Sequence, residues 1–273
     1  MSHKNPPIAE RRPYSFTHHG ITLEDPYHWL RDKDYPIVQD TDVIAYLEEE
    51  NEYFKSAMKP LEGLTNNLFE EIKDRQKKED ESVPVKEGNY YYQWRYRLGT
   101  QYRTWTRWPV CDPSASEIIL DEPTLAKGHD YFSIGSLAIS HDGRYLAYST
   151  DVNGTERYTL RVKDLEKGHL LDEVIENTRG QAVWAASDEA FFYLVSNENW
   201  RSYQTRKHVV GTDIASDHVI YEEPDSGFSV GIAESSSKEY IIISTGDQVT
   251  TEEYLVPAHN PNATPTLVLS RRE

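Results

Sequence analysis

The sequence predicts a mainly β protein, with an N-terminal helical arm over residues 1–75 and an incomplete β-propeller of about four blades over residues 76–273. Three features lead to this reading. One strand pattern occurs four times at intervals of about fifty residues, and periods of roughly 40 to 50 residues with about four strands each are the signature of propeller blades. The residues before the first copy carry helical spacing instead. The composition is only 37% apolar, but 19 Tyr and 6 Trp supply the large buried areas that half-exposed β-strands use.

In the arm, Val43, Ile44, Leu47 and Phe54 recur on near-helical spacing, which predicts a helix over Asp42–Ser56. Asp40, Thr41 and Asp42 are suitable caps in front of it. Leu64, Leu68, Phe69 and Ile72 mark a second helix, Thr65–Asp74, with Pro60 and Gly63 separating the two. The charge run Lys73–Glu81 reads as a solvated linker, and strands are expected to begin after Pro84.

Each copy of the repeat has an apolar or aromatic strand after a polar turn: Tyr90–Tyr92, Tyr145–Tyr148, Phe191–Val195 and Tyr240–Ile243. A second strand begins near Tyr102, Tyr158, Tyr203 and Glu253, and Ile118–Leu120, Val219–Tyr221 and Leu267–Leu269 close three of the copies. The second copy shows no closing stretch. A β-sandwich with evenly spaced hairpins would share this spacing, but the common phase of the copies favours blades, which bury their faces only against neighbours. No first and last strands visibly complete a shared blade, so the propeller is expected to be unfinished.

A chain of 273 residues can bury a substantial core. Its net charge of −17 disfavours nucleic acid, which needs Lys and Arg clusters, and prefers a cationic partner. A single cysteine, Cys111, excludes an internal disulfide framework and points to a reducing compartment, the cytoplasm. Met1–Arg12 offers no apolar run for a signal peptide, and no stretch suits a membrane span. The triplets Asn153-Gly154-Thr155 and Asn262-Ala263-Thr264 are then chance matches to a glycosylation acceptor.

One hydrolase motif is present. Gly227-Phe228-Ser229-Val230-Gly231 satisfies G-x-S-x-G, with Asp247 and His259 following in order. A nucleophile elbow needs strand, turn and helix, whereas here a polar turn, Ser235–Lys238, leads straight into the next strand. Ala182–Ala186 before Ser187-Asp188, and Ser136–Ser140 before His141-Asp142-Gly143, occupy the same phase. Ser229 is therefore expected to lie in an ordinary first strand of a blade. His18, His19 and His28 lack metal-ligand spacing, and no phosphate loop occurs, so no metal or cofactor is expected.

Arg12-Pro13, Thr17-His18-His19-Gly20 and above all Asp25-Pro26-Tyr27-His28-Trp29-Leu30-Arg31-Asp32 resemble the N-terminal signature of the prolyl oligopeptidase family, in particular its oligopeptidase B-like members. Tyr46–Asn51, Glu70-Glu71-Ile72 and Ser140–Tyr148 fit the same pattern, so the resemblance covers essentially the whole chain. It implies an arm packed on a C-terminal α/β-hydrolase domain, and a seven-bladed propeller that covers the catalytic site and admits short peptides. Oligopeptidase B-like members cut after Lys or Arg, and an acidic chain suits short cationic peptides.

The sequence departs from that plan by ending within the propeller, near Arg271-Arg272-Glu273, without the domain that supplies the triad and oxyanion donors. No catalytic residue carries over. The expected role is substrate gate and scaffold, with a free-standing binding module or one half of a split peptidase as alternatives. The resemblance gives Tyr27 and Trp29 a place in interdomain packing, against which stands a local cluster with Leu23 and Leu30. Asp130, in Gly128-His129-Asp130-Tyr131-Phe132, is the candidate for an interdomain polar contact.

Overall fold

The computed structural model describes residues 5–35 and 37–272. The chain divides into two compact units, Met1–Lys77 and Lys78–Glu273. The first opens with a hairpin, β1 (Ser15–His18) and β2 (Ile21–Glu24), so strands begin well before Pro84. The turn between them places His19 at φ 51° and Gly20 at φ 77°, the paired positive values that match the twist of a two-residue hairpin. His18 thus ends β1 and His19 lies in the turn.

Helices α1 (Thr41–Met58) and α2 (Glu62–Asp74) follow, joined by the 3-10 turn Lys59–Leu61. Asp40 caps α1 by accepting hydrogen bonds from the amides of Asp42 and Val43. Pro60 separates the helices as expected, but Gly63 lies inside the first turn of α2 rather than between them. Within its own unit α1 buries only Val43 and α2 buries nothing, leaving Leu64, Phe69 and Ile72 exposed on a helix of apolar spacing. The charge run after them is mostly exposed and contains the boundary between the two units, as expected of a solvated linker. Its ends are drawn into α2 and into β3 (Asp80–Glu81), and Lys73 reaches back to Glu70 at 3.3 Å.

In the second unit β3, β4 (Val85–Glu87), β5 (Tyr90–Tyr96), β6 (Arg103–Pro109) and β7 (Glu117–Asp121) form the first sheet, in which β3 and β4 both pair with β5. After the short helix α3 (Glu122–Leu125) come β8 (Ser133–Ile139), β9 (Tyr145–Asp151), β10 (Tyr158–Asp164), β11 (His169–Trp184), β12 (Ala190–Ser196), β13 (Ser202–Val209) and β14 (His218–Glu222), in one seven-stranded antiparallel sheet. The last sheet has β15 (Ser229–Glu234), β16 (Tyr240–Gly246), β17 (Thr251–Pro257) and β18 (Thr266–Leu269) in sequence order.

The seven-stranded sheet is two four-stranded meanders sharing β11, whose first half pairs with β10 and whose second half pairs with β12. Between the halves Asn177 (φ 59°) and Gly180 (φ 96°) break the extended backbone, and the register slips. The closing strand of the second copy, invisible in the sequence, is therefore the front half of a strand that runs without a reversing turn into the third copy. Among the described residues, none of the three sheets of the second unit closes on itself.

Three apolar clusters lie between successive repeats. Ile119, Leu120, Leu146 and Tyr148 join the first and second, Leu160, Val162, Trp184 and Phe191 the second and third, and Phe192, Leu194, Val230, Ile241 and Ile243 the third and fourth. Successive residues of one strand enter different clusters, as Phe191 and Phe192 do, because successive side chains point to opposite faces. β12 is buried on both faces for this reason and reads as a continuous hydrophobic run.

Candidate functional site

The segment that carries Tyr27 and Trp29 is shaped by polar contacts within the first unit. Asp25 accepts the amide of Tyr27 at 3.1 Å, which starts the 3-10 turn His28–Leu30. The His28 ring stacks on Tyr14 at 3.7 Å. Trp29 donates its indole N–H to the Glu10 carbonyl at 2.8 Å, lies 4.2 Å beneath the Arg12 guanidinium, and meets Tyr46 of α1 edge-on at 6.1 Å. Asp32 ends the motif. Its buried carboxylate accepts the amides of Asp34, Asp40 and Gln39 at 2.8, 2.7 and 2.6 Å, and these bonds hold its pKa below the usual carboxylate range.

Trp29 is thus engaged locally, by Arg12, Tyr46 and Glu10 rather than by Leu23, which is half exposed. Tyr27 remains 40% exposed and borders a cavity of about 600 Å³ with Phe16, His18, His28 and Leu30. Asp130 belongs to the other unit, where it is exposed between α3 and β8. Tyr27 and Trp29 thus belong to the first unit and Asp130 to the second.

Ser229 is the first residue of β15 and pairs with Gly246 of β16, so a strand, and no helix, follows it. Asp247 turns its carboxylate to the amides of Val249 and Thr250, at 2.8 and 2.7 Å, and His259 is exposed. The G-x-S-x-G match has none of the elbow geometry that activates a serine.

A polar cluster that the sequence did not reveal forms where hairpin tips of the four repeats converge. His141, in the tip between β8 and β9, contacts Asp188 through Nδ1 at 2.8 Å and Glu234 through Nε2 at 2.5 Å. Asp188 also accepts the backbone amides of His141 and Asp142, at 2.7 and 2.9 Å. Lys238, in the tip after β15, pairs with Glu87 of β4 at 2.9 Å. A Cβ on Gly88 would lie 3.5 Å from the His141 carbonyl, so the first tip adjoins the second. Burial of the His141 ring opposes its charge, but the hydrogen bonds to Glu234 and Asp188 outweigh it and raise the pKa above the ordinary histidine value. The signal was present only as phase: 87–88, 141–142, 188 and 234–238 occupy equivalent turns.

A second buried network centres on Glu223. It accepts from Thr245 Oγ1 at 2.5 Å, Tyr221 Oη at 3.0 Å and the Asp225 amide at 2.9 Å, and it pairs with Arg271. Arg271 also pairs with Glu252 and lies 3.9 Å over the Phe228 ring. Between the first sheet and β8, a cavity of about 720 Å³ is walled by Tyr92, Trp94, Trp105 and Phe132, with Glu87, Arg103 and Glu122 as its charged groups. Among the described residues no group of three or more His, Cys, Asp or Glu could hold a metal ion. No described helix is long and apolar enough to cross a membrane.

The family model of the prolyl oligopeptidase N-terminal β-propeller domain matches residues 6–273. The chain belongs to the prolyl oligopeptidase family. Protease 2 of Moraxella lacunata is 34% identical over 274 residues, covering 98% of this chain and 39% of that protein. Dipeptidyl aminopeptidase BI of Pseudoxanthomonas mexicana is 32% identical over 285 residues, with the same 98% and 39% coverage. Among solved structures, oligopeptidase B from Leishmania major superposes with a TM-score of 0.88 at 25% identity, over 98% of this chain and 40% of that one. Oligopeptidase B from Trypanosoma brucei gives 0.87 at 26%, again over 98% and 40%. The chain thus spans about 39% of the length of these curated relatives. Within the prolyl oligopeptidase family it corresponds to the N-terminal propeller domain and is close to oligopeptidase B.

Proposed function

We propose that this chain is the arm (residues 1–75) and propeller (76–273) region of an oligopeptidase B-like serine endopeptidase, where it acts as substrate gate and scaffold and does not itself cleave peptides. The four repeats are its blades, out of the seven that the family resemblance implies. The substrates are short cationic peptides cut after Lys or Arg, and the compartment is the cytoplasm. The reading rests chiefly on the likeness to oligopeptidase B, which extends over 98% of the chain. The strand setting of Ser229 adds to it. The net charge of −17 suits cationic peptides by long-range attraction.

Within this reading the exposed Tyr27 ring and the exposed Asp130 contact the hydrolase domain, and Trp29 holds the segment that presents Tyr27. The uncovered apolar residues of α1 and α2 support a partner surface of that kind. The test is hydrolysis of an arginyl reporter peptide by the purified 273-residue chain and by Ser229→Ala. Neither is expected to exceed the buffer rate; turnover that disappears in Ser229→Ala refutes the proposal.

One observation favours a second reading, a self-standing peptide- or protein-binding module: Lys238 of the fourth repeat pairs with Glu87 of the first. A monodisperse monomer that unfolds cooperatively and binds no hydrophobic dye supports the module. Aggregation or dye binding supports a region that needs its partner domain.

A further inference from the structure

We propose that His141 is a proton-operated latch that ties the hairpin tip of the fourth repeat to those of the second and third. The inference concerns the repeats alone and does not depend on the peptidase reading. Its basis is geometric. One imidazole lies between two carboxylates from different repeats, Asp188 at 2.8 Å and Glu234 at 2.5 Å. Only the protonated ring can donate to both, because a neutral imidazole has a single N–H.

The structure also indicates which bond breaks on deprotonation. Asp188 is fixed by the amides of His141 and Asp142, on the same tip as the ring, so it cannot withdraw from Nδ1 without giving up both. The single remaining proton therefore stays on Nδ1. A lone pair on Nε2 then faces the Glu234 carboxylate at the present 2.5 Å, a repulsive contact that Glu234, at the end of β15, relieves by moving away.

Three other charged groups surround the cluster. Asp142 is turned aside, accepting from Ser140 Oγ at 2.6 Å and from the Arg144 amide at 2.9 Å. Glu87 is paired with Lys238, whose pKa is raised first by that bond and further by the nearby charges of Glu234 and Asp188. Lys238 is thus the cation toward which a released Glu234 turns. The raised pKa of His141 accords with a latch that keeps its proton to higher pH than an ordinary histidine does. Opening it frees the turn Ser235–Lys238 and parts the fourth tip from the second and third.

The test uses the whole chain. The His141 pKa is read from its ring signals in a pH titration by nuclear magnetic resonance, and hydrogen exchange of residues 235–240 is followed over the same range. The pKa is expected above the ordinary value of about 6.5 and closer to it in Glu234→Gln. Corrected for intrinsic rates, protection of the 235–240 turn is expected to fall about tenfold as the ring deprotonates, and to stay level with pH in His141→Gln. An ordinary or lowered pKa in the unsubstituted chain overturns the proposal, as does turn protection that is unchanged across the titration. Both decisive readings come from the unsubstituted chain, so misfolding of a variant does not blur the result.

Discussion

Glu223 shows how a single residue can hold a charge in the interior of this protein. Its burial alone would raise its pKa, yet Thr245, the Asp225 amide, Arg271 and Tyr221 all favour the ionised form and bring it from 4.5 down to about 2. A carboxylate whose folded pKa is depressed contributes stability above its unfolded pKa, and that stability is lost as pH falls through the folded value. The window here runs from about 4.5 down to about 2. Urea unfolding followed across this range should show a steep acid limb, and Glu223→Gln should flatten it. Arg271→Ala leaves the buried charge without its cation and should cost about 3 kcal/mol at neutral pH, with the acid limb moved to higher pH. Equal stability of Arg271→Ala and the parent would show that the hydroxyl and amide donors suffice alone. His141 has the opposite sign. Its pKa is raised, so its contribution is present below the ordinary histidine value and is lost as pH rises through the folded value.

At the scale of elements, the strands with aromatic leads were legible because alternation and turn residues coincide. Tyr90, Tyr145 and Tyr240 each begin their strand as predicted, and Ala190 precedes the predicted Phe191 by one position. What stayed hidden was β11, where Asn177 and Gly180 kink the chain without reversing it, so no turn marks the boundary between two repeats. The tip cluster was hidden for a related reason. Spacing in one copy says nothing of the neighbour it will meet, and the Ser140–Gly143 turn reads alone as a plain hairpin. Trp29 stood out through its motif, but its local partners Arg12 and Tyr46 did not.

The kink is held by close packing. Ser136 Oγ donates to the Gly180 carbonyl at 2.6 Å, and a Cβ on Gly135 would lie 2.6 Å from both Ser149 Oγ and the Tyr158 ring. Gly135→Ala is therefore expected to cost about 1–3 kcal/mol by overpacking. Gly231→Ala, where nothing lies within 4 Å of the added atom, should stay within about 0.5 kcal/mol of the parent. Matched urea midpoints for the two variants would mean that Tyr158 and Ser149 yield freely and that the kink is not fixed by this contact.

At the scale of the molecule, each repeat shares apolar clusters with the next, and the middle repeats are buried on both faces. Such an array gains stability mainly from neighbour to neighbour contacts, which suits a covering domain. The central claim is that this chain supplies the gate of an oligopeptidase B-like peptidase. The most direct measurement joins it to the part of Moraxella lacunata Protease 2 outside the matched 39% and compares cleavage of a short arginyl peptide with cleavage of a folded protein carrying exposed arginines. The account predicts that the short peptide is cut, that the folded protein is spared, and that the chain alone cuts neither. A joined protein that leaves the short peptide intact, or digests both substrates alike, would contradict it.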